Sequence, residues 1–231
     1  MDTQVNTKGK KVVLLTGASK GIGRALTEKL LEQGYYVIGT CRSGKIEGLK
    51  PDNLSVIPLD LADSESIKAA HQILFDRFEG IDILINNAGV GPDLGTEKLD
   101  EVSFQQTFDV NVKGQVFFTE ALIDFVRDNG MILNISSKMG SLACCNRKGS
   151  IAYSMSKSAF NMYSKILANR VQKGIRVAII HPGWVQTAIN KNNVHAPLTP
   201  KESAERIFSF MVSDFENGAY WDVQDGKDLP W

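Results

Sequence analysis

The chain has 231 residues, of which 43% are hydrophobic and 23% are charged, and these values are typical of one globular domain with a sizeable core. Lys and Arg together number 26, as do Asp and Glu, so no net charge would recruit nucleic acid or an anionic membrane. The polar segment 1–11 predicts no signal peptide, no apolar run approaches a membrane span, and three cysteines make no disulfide framework. We therefore expect a cytoplasmic protein.

Short apolar runs alternate with helical patterns along the chain. The runs predict seven strands, at 11–16, 35–40, 54–58, 81–86, 131–136, 175–181 and 219–223. Helices are predicted at about 22–33 (ended by Gly34), 63–78 (begun by Asp63), 100–128, a segment that carries Tyr153 and runs to about 172, and 200–212. This alternation predicts a single α/β domain, residues 1–231, of the doubly wound Rossmann type with a parallel sheet covered by helices on both faces.

A glycine-rich turn, residues 16–23, lies between the first strand and the first helix. Its glycines fall at 17, 21 and 23, so it departs from the common G-x-G-x-x-G pattern of dinucleotide folds. Glycines at this place allow the backbone to approach a pyrophosphate at the helix N-terminus. A nucleotide site is therefore predicted, with a merely tight connection as the alternative.

The end of the second strand favours one dinucleotide over the other. An acid there would bind the ribose 2′-hydroxyl of NAD, but the sequence is Gly39-Thr40-Cys41-Arg42. Arg42 can bind a 2′-phosphate bidentately, and Lys20 in the glycine turn can add a second positive charge. The alternative is that both are solvated surface cations; we expect NADP(H).

Tyr153 and Lys157 are four residues apart on a predicted helix, so their side chains share one face. A free phenol has a pKa of about 10, too high for easy proton exchange at neutral pH. One Lys cation about 4 Å away contributes roughly 4 kcal/mol, enough to bring that pKa near 7. The pair is a candidate general acid/base, although Tyr-x-x-x-Lys also arises by chance.

Polar or small residues follow every central strand: Asp60-Leu61, Asn86-Asn87-Ala88-Gly89, Ser136-Ser137 and the segment 182–187. Open α/β sheets bind ligands at the carboxyl ends of their strands. Together with the glycine turn, Tyr153 and Lys157, this ordered set resembles the short-chain dehydrogenase/reductase family over nearly the whole chain.

The resemblance implies a role for each matching residue. Tyr153 would donate the proton, Ser137 would hydrogen-bond the substrate carbonyl, and Lys157 would bind the nicotinamide ribose and lower the pKa of the phenol. Asn111 would kink a helix and hold a water that leads to Lys157, and Thr187 would fix the carboxamide. The implied cofactor contacts are Gly17, Ser19, Lys20, Gly21, Ile22, Gly23, Arg42, Asp60, Leu61, Asn87, Ala88, Gly89, Tyr153, Lys157, Pro182, Gly183, Val185 and Thr187.

The stretch between Ser137 and Tyr153 is longer than the family's commonest pattern, which makes Ser141 a competing assignment for the catalytic serine. Ser137 is favoured because it directly follows an apolar strand and so projects at the sheet's carboxyl edge. The longer loop and the ending 225–231 resemble the sniffer and C-factor type carbonyl reductases within the family.

An NADPH-dependent carbonyl reductase acting on small aldehydes and ketones explains all the motifs. A non-catalytic NADP(H) sensor, or a developmental regulator of the C-factor type, would need the glycine turn but not Tyr153, Lys157 and Asn111 together. An epimerase or dehydratase of the extended type would need a larger C-terminal substrate domain.

His71 and His195 have no partners that suggest a metal site, and the pair Cys144-Cys145 is expected to be two small loop residues.

The segment 183–199 is the expected substrate loop. Its polar run, Asn190-Lys191-Asn192-Asn193, is too short for a lid, and its asparagines favour turns over helix, which predicts an open site with broad specificity. Closure by another subunit or by 221–231 is the alternative.

The Tyr153 helix has more apolar residues than one buried face needs, and in the family this helix often forms a homodimer or homotetramer interface; these residues are Phe160, Met162, Tyr163, Ile166 and Leu167.

Overall fold

The structure is a computed structural model that describes residues 4–231. The prediction of no signal peptide concerned segment 1–11, and the first three residues of that segment lie outside the described residues. The strands are β1 (Val12–Thr16), β2 (Tyr36–Cys41), β3 (Leu54–Pro58), β4 (Ile81–Asn86), β5 (Val126–Ile135), β6 (Arg176–His181), β7 (Ala219–Asp222) and β8 (Lys227–Asp228). The α-helices are α1 (Gly21–Glu32), α2 (Ser64–Arg77), α3 (Glu101–Phe108), α4 (Gln115–Glu120), α5 (Ile151–Arg170) and α6 (Pro200–Met211).

All eight strands form one sheet in the order β3-β2-β1-β4-β5-β6-β7-β8. The first seven in that order pair in parallel, and β8 pairs antiparallel with β7. Alternate side chains of each central strand point to opposite faces, so Leu14 packs with α2 and α5 residues while Leu15 packs with α1 and α6 residues. The predicted doubly wound α/β fold is confirmed, with the two-residue β8 as an addition that the sequence did not predict.

The helical patterns predicted over 100–128 are confirmed only in part, by α3 and α4. After α3 the chain passes through a π-helix, Asp109–Gly114, before α4, and then through a 3-10 turn at Ile123–Phe125. Gly114 packs so closely on the loop after β3 that an added Cβ would lie 2.1 Å from the Leu61 carbonyl oxygen. Residues 126–128 begin β5, because buried Val126 pairs with Ile81 of β4. Tertiary contacts here override the local helical pattern.

None of the helices within residues 4–231 has both the length and the apolar character needed to cross a bilayer.

Candidate active site

The glycine turn is built as a cradle at the start of α1. Gly17 and Gly21 have φ of +70° and +56°, in the left-handed region that favours glycine. Gly23 admits no side chain, because a Cβ would lie 2.2 Å from the Gly17 carbonyl oxygen. The N-cap residue, Lys20, makes no side-chain cap hydrogen bond, and the first turn of α1 has no acidic residue. The helix N-terminus therefore presents uncapped N–H groups, a donor set that fits a phosphate.

The ends of β1 and β4 are tied together beneath this turn. Asn87 donates through Nδ2 to the Thr16 carbonyl at 2.9 Å, and the Thr16 hydroxyl accepts from the backbone N–H groups of Asn87 and Ala88 at 3.0 Å. Buried Asn86 donates to Asn134 of β5 at 2.8 Å. These bonds align the carboxyl ends of three adjacent strands, which is where the sequence predicts the cofactor.

Arg42 directly follows β2, and Lys20 precedes α1. Both are exposed, and neither forms a salt bridge within the described chain. Because β1 and β2 are neighbours, with Ala18 donating to the Thr40 carbonyl at 2.9 Å, the two cations belong to one edge of the sheet. Their charges are available to an anion at that edge.

The Asp60-Leu61 segment follows β3 at the same edge. Asp60 caps its own turn by accepting from the Ala62 N–H at 3.0 Å, and Leu61 is buried in the core. The structure places this pair beside the end of β2, where Leu59 donates to the Cys41 carbonyl at 3.0 Å.

Tyr153 and Lys157 lie on α5 with only 8% and 4% of their surfaces exposed. The Lys157 ammonium donates to the Ile135 carbonyl at 3.1 Å and lies 5.7 Å from the centre of the Tyr153 ring. Burial raises the pKa of Tyr153 to about 12, a hydrogen bond with Ser137 opposes this rise, and the charge of Asp93 adds to it. Burial lowers the pKa of Lys157 to about 8.

These values contradict the expectation that the Lys157 cation brings the pKa of the phenol near 7. Desolvation of the buried phenol is the largest influence on its pKa and outweighs the lowering effect of the Ser137 hydrogen bond. At neutral pH the structure therefore holds Tyr153 in its protonated form and Lys157 in its charged form.

Ser137, rather than Ser141, is next to the phenol. The hydrogen bond that lowers the pKa of Tyr153 comes from Ser137, which lies where β5 ends. Ser141 donates to the Pro230 carbonyl at 2.6 Å and accepts from the Cys144 N–H at 3.1 Å. The hydroxyl of Ser141 therefore holds the C-terminal segment.

Asn111 lies in the π-helical distortion between α3 and α4. Its amide oxygen accepts from the Val90 N–H at 2.9 Å, and its amide nitrogen donates to the Val90 carbonyl at 2.8 Å and to the Ser156 hydroxyl at 3.1 Å. A Cβ on Gly89 would lie 3.4 Å from the Asn111 amide oxygen and 3.6 Å from the Lys157 ammonium. Asn111 and Lys157 thus border the same glycine at the end of β4.

The segment 183–199 is more ordered than predicted. Lys191–His195 forms a 3-10 helix, which corrects the expectation of turns alone. Asn190 begins it and donates to the Leu94 carbonyl at 2.6 Å. Asn193 accepts from the indole of Trp184 and donates to the Thr187 hydroxyl, both at 3.1 Å. The asparagines that indicated turns instead fasten the loop to the site.

Other implied cofactor residues line the base of this segment. The Pro182 carbonyl accepts from the Ser203 hydroxyl at 2.7 Å, Gly183 has φ of +85°, and Val185 pairs with Leu198. The Ser203 bond anchors the start of the loop to α6, and the Val185–Leu198 bridge joins the two ends of the loop.

Two residues at the site were missed by sequence reasoning. The carboxylate of Asp93 accepts from the Tyr153 N–H, and the hydroxyl of Tyr220 donates to the Ser137 carbonyl at 2.5 Å. Each acts on a partner at least sixty positions away, so no local pattern in the sequence indicates either contact.

Comparisons with known proteins agree on one family. The family model for short chain dehydrogenases matches residues 11–197. The 3-oxoacyl-[acyl-carrier-protein] reductase FabG of Buchnera aphidicola is 34% identical over 192 residues, which cover 79% of this chain and 77% of that protein.

Solved structures show the same fold. The NADPH-bound carbonyl reductase from chicken fatty liver superposes with a TM-score of 0.84 at 26% identity, over 96% of this chain and 94% of that one. The carbonyl reductase Sniffer of D. melanogaster gives a TM-score of 0.81 at 24% identity, over 96% and 99%, and shows likeness of fold alone. Because the family model spans well over half of the sequence, this chain belongs to the short chain dehydrogenase family of oxidoreductases.

Proposed function

We propose that the protein is an NADPH-dependent reductase of small aldehydes and ketones, with Tyr153 as the general acid. The observation that supports this most is the buried, protonated phenol of Tyr153 beside Ser137 and Lys157, at the carboxyl edge of the sheet. The carbonyl reductase and FabG relatives carry reductase names, which agrees with this direction.

The glycine turn would hold the cofactor's phosphates through the N-terminus of α1, and Arg42 with Lys20 would bind the 2′-phosphate. A nicotinamide cofactor bound at this edge supplies a hydride. Further contacts are proposed at Ser19, Ile22, Asp60, Leu61, Asn87, Ala88, Gly89, Pro182, Gly183, Val185 and Thr187. This placement is supported by the uncapped start of α1 and by Arg42 and Lys20, which form no salt bridge within residues 4–231.

The proton step follows from the charges at the site. The Ser137 hydroxyl holds the substrate oxygen, and Tyr153 donates its proton as that oxygen becomes an alkoxide. A phenol with a pKa of about 12 keeps its proton at neutral pH, yet remains more acidic than an alcohol, so the transfer is downhill. Lys157, charged below a pKa of about 8, stabilises the phenolate that is left. Asn111 would hold a water that leads to this lysine, and the two side chains lie close to the same space beside Gly89.

The alternative, a non-catalytic NADP(H) sensor or C-factor type regulator, could use Lys157 to bind the nicotinamide ribose, but it has no need of Tyr153, Lys157 and Asn111 together. Holding an ammonium in a site that lowers its pKa to about 8 costs stability, and a proton donor beside it gives that cost a purpose. The deciding experiment is NADPH oxidation against a panel of aldehydes, ketones and diketones. NADPH binding without turnover on any member would favour the sensor.

Cofactor choice can be tested at Arg42. Arg42→Asp places a carboxylate where the 2′-phosphate is expected, so kcat/KM with NADPH should fall about 100-fold, while NADH should be accepted equally well or better. The measurement is kcat/KM with both cofactors. Lys50→Asp makes the same charge change at an exposed position and should leave the NADPH preference intact. A wild-type preference for NADH would contradict the proposal.

Substrate range can be tested with the same carbonyl panel. Three large apolar side chains of the flanking loops are exposed, Trp184 by 48%, Val194 by 68% and Leu142 by 78%, and the single 3-10 turn of the loop covers little surface. Few contacts are then available to reject wrong shapes, so we expect comparable kcat/KM for aromatic aldehydes and α-dicarbonyls. One substrate favoured by more than about a thousandfold would show a selective site.

Self-association is proposed through the face formed by α4 and α5. Phe117, Met162 and Ile166 are 63%, 64% and 52% exposed on these two helices. Several large apolar side chains exposed together are typical of an interaction surface. A homodimer or homotetramer would cover it.

A further inference from the structure

Asp93 is a buried carboxylate whose side-chain contacts lead to the catalytic tyrosine. It is 1% exposed, and its two carboxylate oxygens accept from the Tyr153 N–H at 3.1 and 3.3 Å. No Lys or Arg of the described chain forms a salt bridge with it. A buried charge without a cation is costly, so its environment must stabilise it by other means.

That stabilisation comes from the N-terminus of α5. The residue at the N-cap position, Ser150, has φ of +59° and makes no side-chain cap hydrogen bond. Its hydroxyl instead accepts from the Gly95 N–H at 3.0 Å. Asp93 therefore replaces the N-cap side chain: from a separate loop, it accepts the N–H of the third helical residue. The helix dipole favours a negative charge at this end of α5.

The loop that carries Asp93 also contacts the Tyr153 ring and the substrate loop. Gly91 packs so closely that a Cβ there would lie 2.9 Å from Cδ2 of Tyr153. The carbonyl of Leu94 accepts from Asn190 of the substrate loop at 2.6 Å. The backbone of Tyr153, its ring and the substrate loop thus all contact the short turn 91–94.

We propose that Asp93 is a positioning residue for Tyr153: its carboxylate fixes the first turn of α5, which aims the phenol at Ser137, and its negative charge holds the proton on the phenol until it is donated. This inference rests on the proposed reductase function. The carboxylate acts through Tyr153 and does not itself touch the substrate.

The groups that face the phenol are few, which makes the charge effect measurable. They are Lys157 from the same helix, Ser137 from the end of β5, Tyr220 from β7 and Asp93 from the loop. Burial is the largest influence on the pKa of Tyr153, and the Asp93 charge also raises that pKa. Removing the charge should make the phenol lose its proton at lower pH.

The test compares three variants by kcat for carbonyl reduction and by the pH at which Tyr153 ionises in cofactor-free protein. That ionisation is followed by the ¹³Cζ resonance of Tyr153, assigned with Tyr153→Phe, because Lys157, with a pKa of about 8, would set the alkaline limb of a rate profile. Asp93→Asn keeps an oxygen that can accept the Tyr153 N–H but removes the charge, so Tyr153 should ionise at a pH lower by about half a unit or more. Asp93→Ala loses cap and charge together, and kcat should fall about tenfold or more because the phenol is misplaced. Glu97→Gln removes an exposed charge from the same loop and should match the wild type in both measurements.

An ionisation of Tyr153 in Asp93→Asn that coincides with the wild type would overturn the proposal. If Asp93→Asn does not fold, Asp93→Glu keeps the charge but shifts its oxygens, and should retain the wild-type ionisation of Tyr153 while losing kcat; unchanged kcat would be equally decisive against the idea. The resonance needs no turnover, so an inactive wild type in which the ionisation still moves in Asp93→Asn, and not in Glu97→Gln, would refute the reductase while retaining the positioning role.

Discussion

Tyr153→Phe is expected to lose carbonyl reduction by about 10²–10⁴-fold in kcat, the usual size of a general-acid contribution. The change removes one hydroxyl and leaves the ring, which packs in a site that is only 8% exposed. NADPH affinity should change little, because the glycine turn that would bind the phosphates lies on α1 rather than on α5.

The matched control is Tyr163→Phe on the same helix. The Tyr163 hydroxyl donates to Glu120 at 2.8 Å, away from Ser137, so this variant loses a hydrogen bond of α5 without touching the proposed proton path. Its unfolding free energy should fall by about 1 kcal/mol while kcat is retained. Turnover that survives in Tyr153→Phe at the level of Tyr163→Phe would remove Tyr153 from the mechanism.

The central sheet and the positions of Tyr153 and Lys157 could be predicted from the sequence because they depend on local patterns. The residues of β1 are apolar except for its last residue, Thr16, and all five are 0% exposed, so a buried parallel strand is the simplest reading of that run. The four-residue spacing of Tyr153 and Lys157 needs only a helix to place both on one face.

The features that the sequence did not reveal all depend on contacts between distant segments. The π-helix arises where Gly114 meets the Leu61 carbonyl, and the 3-10 helix is held by Asn190 on the Leu94 carbonyl, ninety-six positions away. The predicted direction of the Tyr153 pKa shift is wrong, because the four-residue spacing indicates that Lys157 is a neighbour but does not indicate how deeply the phenol is buried. Electrostatics at a site follows from solvent exclusion, which no short motif encodes.

Lys157→Met is expected to abolish turnover and at the same time to stabilise the cofactor-free protein near neutral pH. Lys157 is 4% exposed, and burial lowers the pKa of its ammonium from 10.5 to about 8. At about 1.4 kcal/mol per pKa unit, this corresponds to a penalty of about 3 kcal/mol for folding with the lysine charged. Methionine has a similar length and no charge, although it leaves the Ile135 carbonyl without its donor, at a cost of about 1–3 kcal/mol.

The pH dependence separates the charge from these packing effects. A folded-state pKa below the unfolded one means that the unfolded chain binds more protons between pH 8 and 10.5, so the penalty is fully present below pH 8 and is relieved as pH rises towards 10.5. The unfolding free energy of Lys157→Met relative to wild type should therefore be most favourable near pH 7 and should decline by about 3 kcal/mol by pH 10.5.

Denaturant unfolding of both proteins across that range measures the difference, and because the difference is taken at each pH, the titration of groups common to both chains cancels. Lys165→Met, an exposed lysine on the same helix, controls for the loss of a surface charge and should show no such slope. A flat difference between Lys157→Met and wild type would mean that Lys157 does not carry a buried charge in the cofactor-free protein. The role proposed for it, stabilising the Tyr153 phenolate, would then lose its physical basis. A declining difference together with absent turnover would show a lysine kept at the expense of stability, which is expected of a residue retained for chemistry.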